Sequence, residues 1–119
     1  QEALQVYETV GKTWTMAELM ETGEQVYAQA CQSCHQANGQ GIPPAFPSLV
    51  GQGLAIGPVD AHIDIVVNGK AGSAMQAFAA QLNPAEIAAV VTYERNAWGN
   101  NVGDLVQPRA VNALISSEE

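Results

Sequence analysis

Residues 30–35 read Ala30-Cys31-Gln32-Ser33-Cys34-His35 and contain both cysteines of the chain and one of its two histidines. Two thiols three apart, followed at once by an imidazole, are the attachment signature of a c-type haem. Each thiol adds to one vinyl group of the porphyrin, and the two-residue gap matches the distance between the vinyls. The next residue falls under the iron, where its imidazole binds from the proximal side. Other readings ask more of the chain. A redox dithiol follows a strand in a βαβ pattern, which this sequence lacks. A structural zinc site takes about four ligands and would consume every Cys and His present. A plain disulfide gives no reason for His35 to stand beside Cys34. A chain built on this motif folds around one covalent haem c, with Cys31 and Cys34 holding the porphyrin and His35 on the iron.

The length of 119 residues suits one domain. Nearly half of the residues are hydrophobic and only 13% are charged, so a sizeable core is available to receive the haem. No run of eighteen apolar residues predicts a transmembrane helix, and the start lacks a basic, apolar signal region. Gln1 is not an initiator methionine, which predicts a processed or excised chain. The net charge is −8 and the four Lys/Arg are scattered. Nucleic acid is excluded as a partner, because phosphate binding needs clustered cations. An acidic surface favours encounter with basic proteins, and it equally serves solubility alone.

Along the chain, residues 1–14 show no sustained period and read as a linker or leading arm. Thr15-Met16-Ala17-Glu18 fits a capping box opening a helix from about residue 16 into Cys31. Met16, Leu19, Met20, Gly23, Val26, Tyr27 and Ala30 recur at three- and four-residue steps as one apolar stripe. Met16 and Met20 belong to that stripe and read as core rather than as iron ligands. Gly23 inside a helix costs about 1 kcal/mol relative to Ala, and its use is close approach of another helix. Residues 36–58 are rich in Gly and Pro and read as a loop wrapped around something; Pro44, Phe46, Pro47 and Leu49 are its apolar members, expected against the porphyrin. A short helix is expected over Val59 to Asn68. Asn83-Pro84-Ala85-Glu86 opens another strong helix, with Ile87, Val90 and Val91 on its apolar face and Trp98-Gly99-Asn100 at its end. Within the tail, Leu105 and Val106 are candidates to pack on the body, Pro108 opens one or two helical turns through Ala113, and Ser116 to Glu119 are expected to fray. The division is therefore 1–14 arm, 15–99 haem domain and 100–119 C-terminal extension.

The opposite face of the iron has three readings. Met75 lies in the glycine-rich stretch 69–78, where a thioether reaches iron without disturbing a helix, and Met/His ligation raises the potential and fills both axial sites. His62, near the start of the short helix, reads as a partly exposed helix histidine, with imidazole ligation as its alternative. An open iron, for ligand binding or peroxidatic chemistry, is the third. Met75 is the preferred ligand.

These residues together resemble the class I cytochromes c over roughly 15–98. Gly23 and Tyr27 stand where that family places the small and aromatic residues that meet the last helix, and Val90 and Tyr93 stand where that helix answers. The resemblance implies that the Pro47 carbonyl accepts a hydrogen bond from the His35 ring, that Leu49 packs on the haem, and that Met75 is the distal ligand. Trp14-Thr15-Met16, the run from Gly39 to Gly51, Met75-Gln76-Ala77-Phe78, and Tyr93 to Asn100 followed by Gly103-Asp104 look more closely like the C-terminal haem domain of bacterial caa3-type cytochrome c oxidase subunit II. This likeness implies an all-α fold with N- and C-terminal helices crossing over the haem, and Phe78 among the cofactor-binding residues. It implies single-electron transfer from a periplasmic cytochrome c or similar donor to the copper centre of the same oxidase. The place would be the periplasmic side of the inner membrane, tethered through the parent subunit, whose copper ligands and membrane helices are not in this chain. The isolated domain would be an electron carrier, with oxygen reduction belonging to the parent. A free-standing soluble mono-haem cytochrome c is the alternative.

Overall fold

The computed structural model describes residues 13–36, 39–41, 49–51, 56–69, 77–78 and 81–117. Among these every regular element is a helix: α1 (Met16–Ala30), a single turn α2 (Gln32–His35), α3 (Val59–Asn68), α4 (Pro84–Asn96) and α5 (Pro108–Ser117). The fold is the all-α arrangement expected of a cytochrome c.

Both strong helices start where their capping boxes place them. The Thr15 hydroxyl accepts from the Glu18 amide at 3.2 Å, and the Glu18 carboxylate accepts from the Thr15 amide at 2.9 Å. Asn83 and Glu86 repeat the exchange at 2.8 and 2.9 Å, with Pro84 in the first turn. Each such cap contributes about 1 kcal/mol. The stripe of α1 buries Leu19, Gly23, Val26 and Tyr27 against α4, while Met16 and Met20 are only half-buried at its margin.

Gly23 marks the crossing of α1 and α4. A Cβ there would overlap the carbonyl oxygen of Ala89 and come within 2.6 Å of Tyr93 Cβ. Absence of a side chain is what lets the two backbones meet.

α4 is buried far more widely than its pattern announces, because α1, α3 and α5 all pack on it. Its buried set runs Ala85, Ile87 through Thr92, then Glu94 and Arg95. A helix covered on several sides has no single apolar stripe to read.

The region after residue 100 is built into this body. The Val106 amide donates to the Thr92 hydroxyl at 3.1 Å, and Val106 and Val111 are buried in the core, whereas Leu105 is exposed. α5 continues to Ser117, past the turn or two expected from Pro108 and through the first two residues expected to fray, with Val111, Leu114 and Ile115 against the core. The end of the arm is tied to the same region: the Trp14 amide donates to Gln107 Oε1 at 2.8 Å, and Gln107 Nε2 donates back to the Trp14 carbonyl at 2.9 Å. Among the described residues no helix is long and apolar enough to cross a membrane.

Candidate haem-attachment site

α1 stops at Cys31, whose backbone leaves the helical region only partly (φ −121°, ψ −29°), and α2 starts at the next residue. The His35 amide donates to the Cys31 carbonyl at 3.0 Å, so both lie on one turn. Cys34 is the third residue of that turn. Gln36 then takes a left-handed φ of 68°, and the Gly41 amide donates to the His35 carbonyl at 2.9 Å. Hydrogen bonds on both sides thus fix the backbone that carries the motif. Cys31 is buried and His35 half-buried.

Leu49 and Phe78 join Cys31 in one apolar cluster with Tyr27, Val66, Val67 and Val90. The Phe78 amide donates to the Val66 carbonyl at 3.0 Å, which pins the end of the 69–78 stretch to α3. Pro47 and Met75 lie outside the described residues. Two motif residues on one turn, next to an apolar wall, fit a covalently held haem: the thiols and imidazole supply its attachment chemistry and the wall its apolar surroundings. A shallow groove lined by Val59, Ile63, Leu105 and Val106 lies between α3 and the 104–110 region and includes none of these residues.

Three aromatic rings close the seam between α1 and the end of α4. Tyr27 lies 5.6 Å from Tyr93 and 5.0 Å from Trp98, and Tyr93 meets Trp98 edge-on at 5.4 Å. Gly39 rests against Trp98, where a Cβ would come within 2.6 Å of the indole. The Tyr27 hydroxyl donates to the Gln36 carbonyl at 2.5 Å, tying α1 to the residue just after His35.

Burial pushes the Tyr27 phenol well above its ordinary range, and the nearby Glu94, Cys31 and Tyr93 push the same way. A folded-state value above the unfolded one, about 10, gives a stability contribution that is complete below that pH and lost as pH rises beyond it. Tyr27→Phe is therefore expected to cost about 1 kcal/mol at neutral pH through the lost hydrogen bond. It should also make the fall of Tm above about pH 10 shallower. Thermal unfolding of both proteins from neutral to alkaline pH checks this; equally steep declines would contradict it.

His62 is not the partly exposed histidine expected from its place in the sequence. It is 2% exposed, and both ring nitrogens are engaged. Nε2 lies 2.7 Å from Glu94 Oε1 and Nδ1 lies 3.3 Å from Arg95 Nη1. A guanidinium can only donate, so Nδ1 accepts and the proton sits on Nε2, facing the carboxylate. Neither nitrogen is left for iron. Arg95 continues the chain: Nε donates to Asp104 at 2.7 Å and Nη2 to the Gly57 carbonyl at 2.6 Å. Asn100 braces the loop beside it, donating to the carbonyls of Leu49 (2.6 Å) and Glu94 (2.9 Å) and accepting from the Gly51 amide at 2.5 Å. Sequence reasoning missed this network because its partners are far apart in the chain, His62 and Glu94 by 32 residues and His62 and Arg95 by 33. The only hint was the Tyr93–Asn100 stretch, noticed for its resemblance and not for its burial.

Residues 18–93 match the family model described as Cytochrome C oxidase, cbb3-type, subunit III, and the chain belongs to this family of class I cytochrome c domains. It is 40% identical over 92 residues to cytochrome c-552 of Thermus thermophilus, a match that spans 66% of this chain and 69% of that protein. Against a second Thermus thermophilus cytochrome c-552 the identity is again 40%, over 66% of this chain and 61% of the relative. A gluconate 2-dehydrogenase cytochrome c subunit from Pantoea cypripedii is 29% identical over 82% of this chain, which spans only 25% of that subunit. The chain thus carries one covalent haem c and serves electron transfer.

Proposed function

We propose that this chain is the haem domain through which electrons enter a caa3-type haem-copper oxidase. In this reading Cys31 and Cys34 hold the porphyrin, and His35 and Met75 bind the iron from opposite sides. When bound, the haem would supply a one-electron couple, with His35 and Met75 as the residues that would hold its iron. The protein does the rest. Pro47 is assigned the carbonyl that accepts from the His35 ring, fixing its tautomer and strengthening it as a donor. Cys31, Leu49 and Phe78 keep water from the site. Residues 1–14 serve as the tether from the copper-binding domain, 15–99 as the haem domain and 100–119 as an extension. A periplasmic cytochrome c or similar donor delivers the electron on the outer side of the inner membrane, and the copper centre of subunit II receives it.

The observation that carries this reading is the sequence likeness of Trp14–Met16, Gly39–Gly51, Met75–Phe78 and Tyr93–Asp104 to the haem domain of oxidase subunit II. Glu94, Arg95, Asn96, Asn100 and Asp104 are all tied into hydrogen bonds at the end of α4. The naming of an oxidase subunit in the family description, and of a dehydrogenase subunit among the relatives, supports partnership with other subunits. A free-standing mono-haem carrier is the second reading, favoured by the match to 69% of the length of a cytochrome c-552. The gene separates them. An upstream reading frame with two membrane spans and a copper-binding domain is expected; an ordinary signal peptide immediately before Gln1 would overturn the oxidase assignment.

Met75→Ala tests the ligand set. It is expected to lower the reduction potential and change the visible spectrum, because loss of the thioether removes the ligand that raises the potential. His62→Ala is expected to leave the ligation bands in place. The reverse pattern in a spectroelectrochemical titration would reassign the iron.

A further inference from the structure

We propose that Glu94 is a potential-setting charge for the haem and that His62 is the positioning residue that holds it there. The proposal rests on haem attachment at Cys31–Cys34 and not on the oxidase assignment.

Glu94 is 4% exposed, an unusual place for a carboxylate. It stands one residue past Tyr93, which packs on Tyr27, and its charge acts on the Tyr27 hydroxyl together with Cys31. The Asn100 amide donates both to the Glu94 carbonyl and to that of Leu49, which packs in the cluster with Cys31, so Glu94 stands beside the wall of the attachment site. Its hydrogen-bond partner is an imidazole whose proton sits on Nε2 and which carries no net charge in that tautomer.

The nearby cation is committed elsewhere. Arg95 turns Nε and Nη2 toward Asp104 and the Gly57 carbonyl, and presents only Nη1 to the far side of His62. Arg95 and Asp104 offset each other at the outer end of the network, where the Asp104 side chain is 43% exposed. Taken by element, α1 contributes Tyr27 and Cys31, α3 contributes His62, α4 contributes Glu94 and Arg95, and the segment after α4 contributes Asp104. Of the two carboxylates, Glu94 is buried, whereas Asp104 is partly exposed and paired with Arg95.

Oxidation leaves the iron with one more unit of positive charge, and a buried anion nearby favours that state because little solvent screens it. Glu94 accordingly holds the potential below the value the same ligands would give without it. His62 makes this possible, since an unsupported buried carboxylate would be strongly destabilising.

The test is a spectroelectrochemical titration of the haem-loaded protein and its Glu94→Gln variant. Glutamine keeps the acceptor toward His62 and removes the charge. The midpoint potential is expected to rise, by more than in Glu21→Gln, which removes an exposed carboxylate from α1. The excess is expected to survive about 1 M salt, where the screening length falls to about 3 Å. An unchanged potential, or a shift equal to that of Glu21→Gln and abolished by salt, would overturn the proposal. Should Glu94→Gln not fold, redox-difference infrared spectra of the unaltered protein with 13C-labelled glutamate decide. A carboxylate band displaced on reduction, and still displaced at high salt, is expected; no such band would overturn it. Failure of the unaltered protein to hold haem covalently would strike the attachment itself, a result the spectrum reads separately.

Discussion

Gly23→Val is expected to destabilise the protein by more than about 3 kcal/mol, at the upper end of overpacking costs. That is a large part of the ~5–15 kcal/mol that keeps a domain folded. Even the first carbon of a side chain overlaps the backbone of α4 at Ala89 and crowds Tyr93 Cβ. The obstacle is main chain within a capped helix, so relief requires α1 and α4 to separate. Separation would open the contacts of Leu19, Val26 and Tyr27, which form the floor under the attachment turn. Alanine gains about 1 kcal/mol of helix propensity over glycine, yet it meets the same overlap, and Gly23→Ala should still destabilise. Thermal unfolding and the yield of haem-loaded protein measure both. A Tm within a degree or two of the unaltered protein would show that the helices do not meet at Gly23.

Arg95→Met is expected to cost about 3 kcal/mol, at the low end of what removal of one partner from a buried ionic network brings. The substitution preserves apolar length but strips the donors from His62 Nδ1, the Gly57 carbonyl and Asp104. Asp104 recovers some hydration because its side chain is 43% exposed, which is why the expected loss stays at the lower bound. The His62 and Gly57 acceptors have less recourse. Arg95→Lys should recover only part, since an ammonium lacks the planar fork that reaches three partners at once. Denaturant unfolding gives the magnitude. Amide exchange should show the largest loss of protection around residues 57 and 102–106. Full stability in Arg95→Met would mean that the network contributes nothing to holding α3 and the post-α4 segment on α4.

The legible parts of the fold were those with local physical causes. Thr15/Glu18 and Asn83/Pro84/Glu86 announce helix starts because their side chains cap their own backbone within three residues. Val59–Asn68 forms the expected helix and stops with Gly69 at φ 70°. Gly23 is explained by the helix it touches, as its cost within α1 implied. Attachment chemistry is contiguous in sequence, so Cys31, Cys34 and His35 were readable at once, and Leu49 and Phe78, expected at the haem from the resemblance, share one apolar cluster with Cys31.

What escaped the sequence depends on distance along the chain. His62 and Glu94 are 32 residues apart, and Trp14 and Gln107 are 93 apart. No local pattern marks such partners. Burial of α4 on several sides extends well past the apolar face of Ile87, Val90 and Val91 that its sequence shows, and takes in Glu94 and Arg95. Leu105 and Val106 differ for a similar reason: Val106 is drawn in by the Thr92 hydroxyl, a partner 14 residues away, while its neighbour faces out.

The central claim is that Cys31–His35 and Met75 make this chain a carrier of single electrons with no open position at the iron. Carbon monoxide titration of the reduced, haem-loaded protein at neutral pH tests it most directly. The expected result is a visible spectrum of haem c that carbon monoxide leaves unchanged. Rapid and complete binding would contradict Met75 ligation and replace electron transfer with chemistry at an open iron.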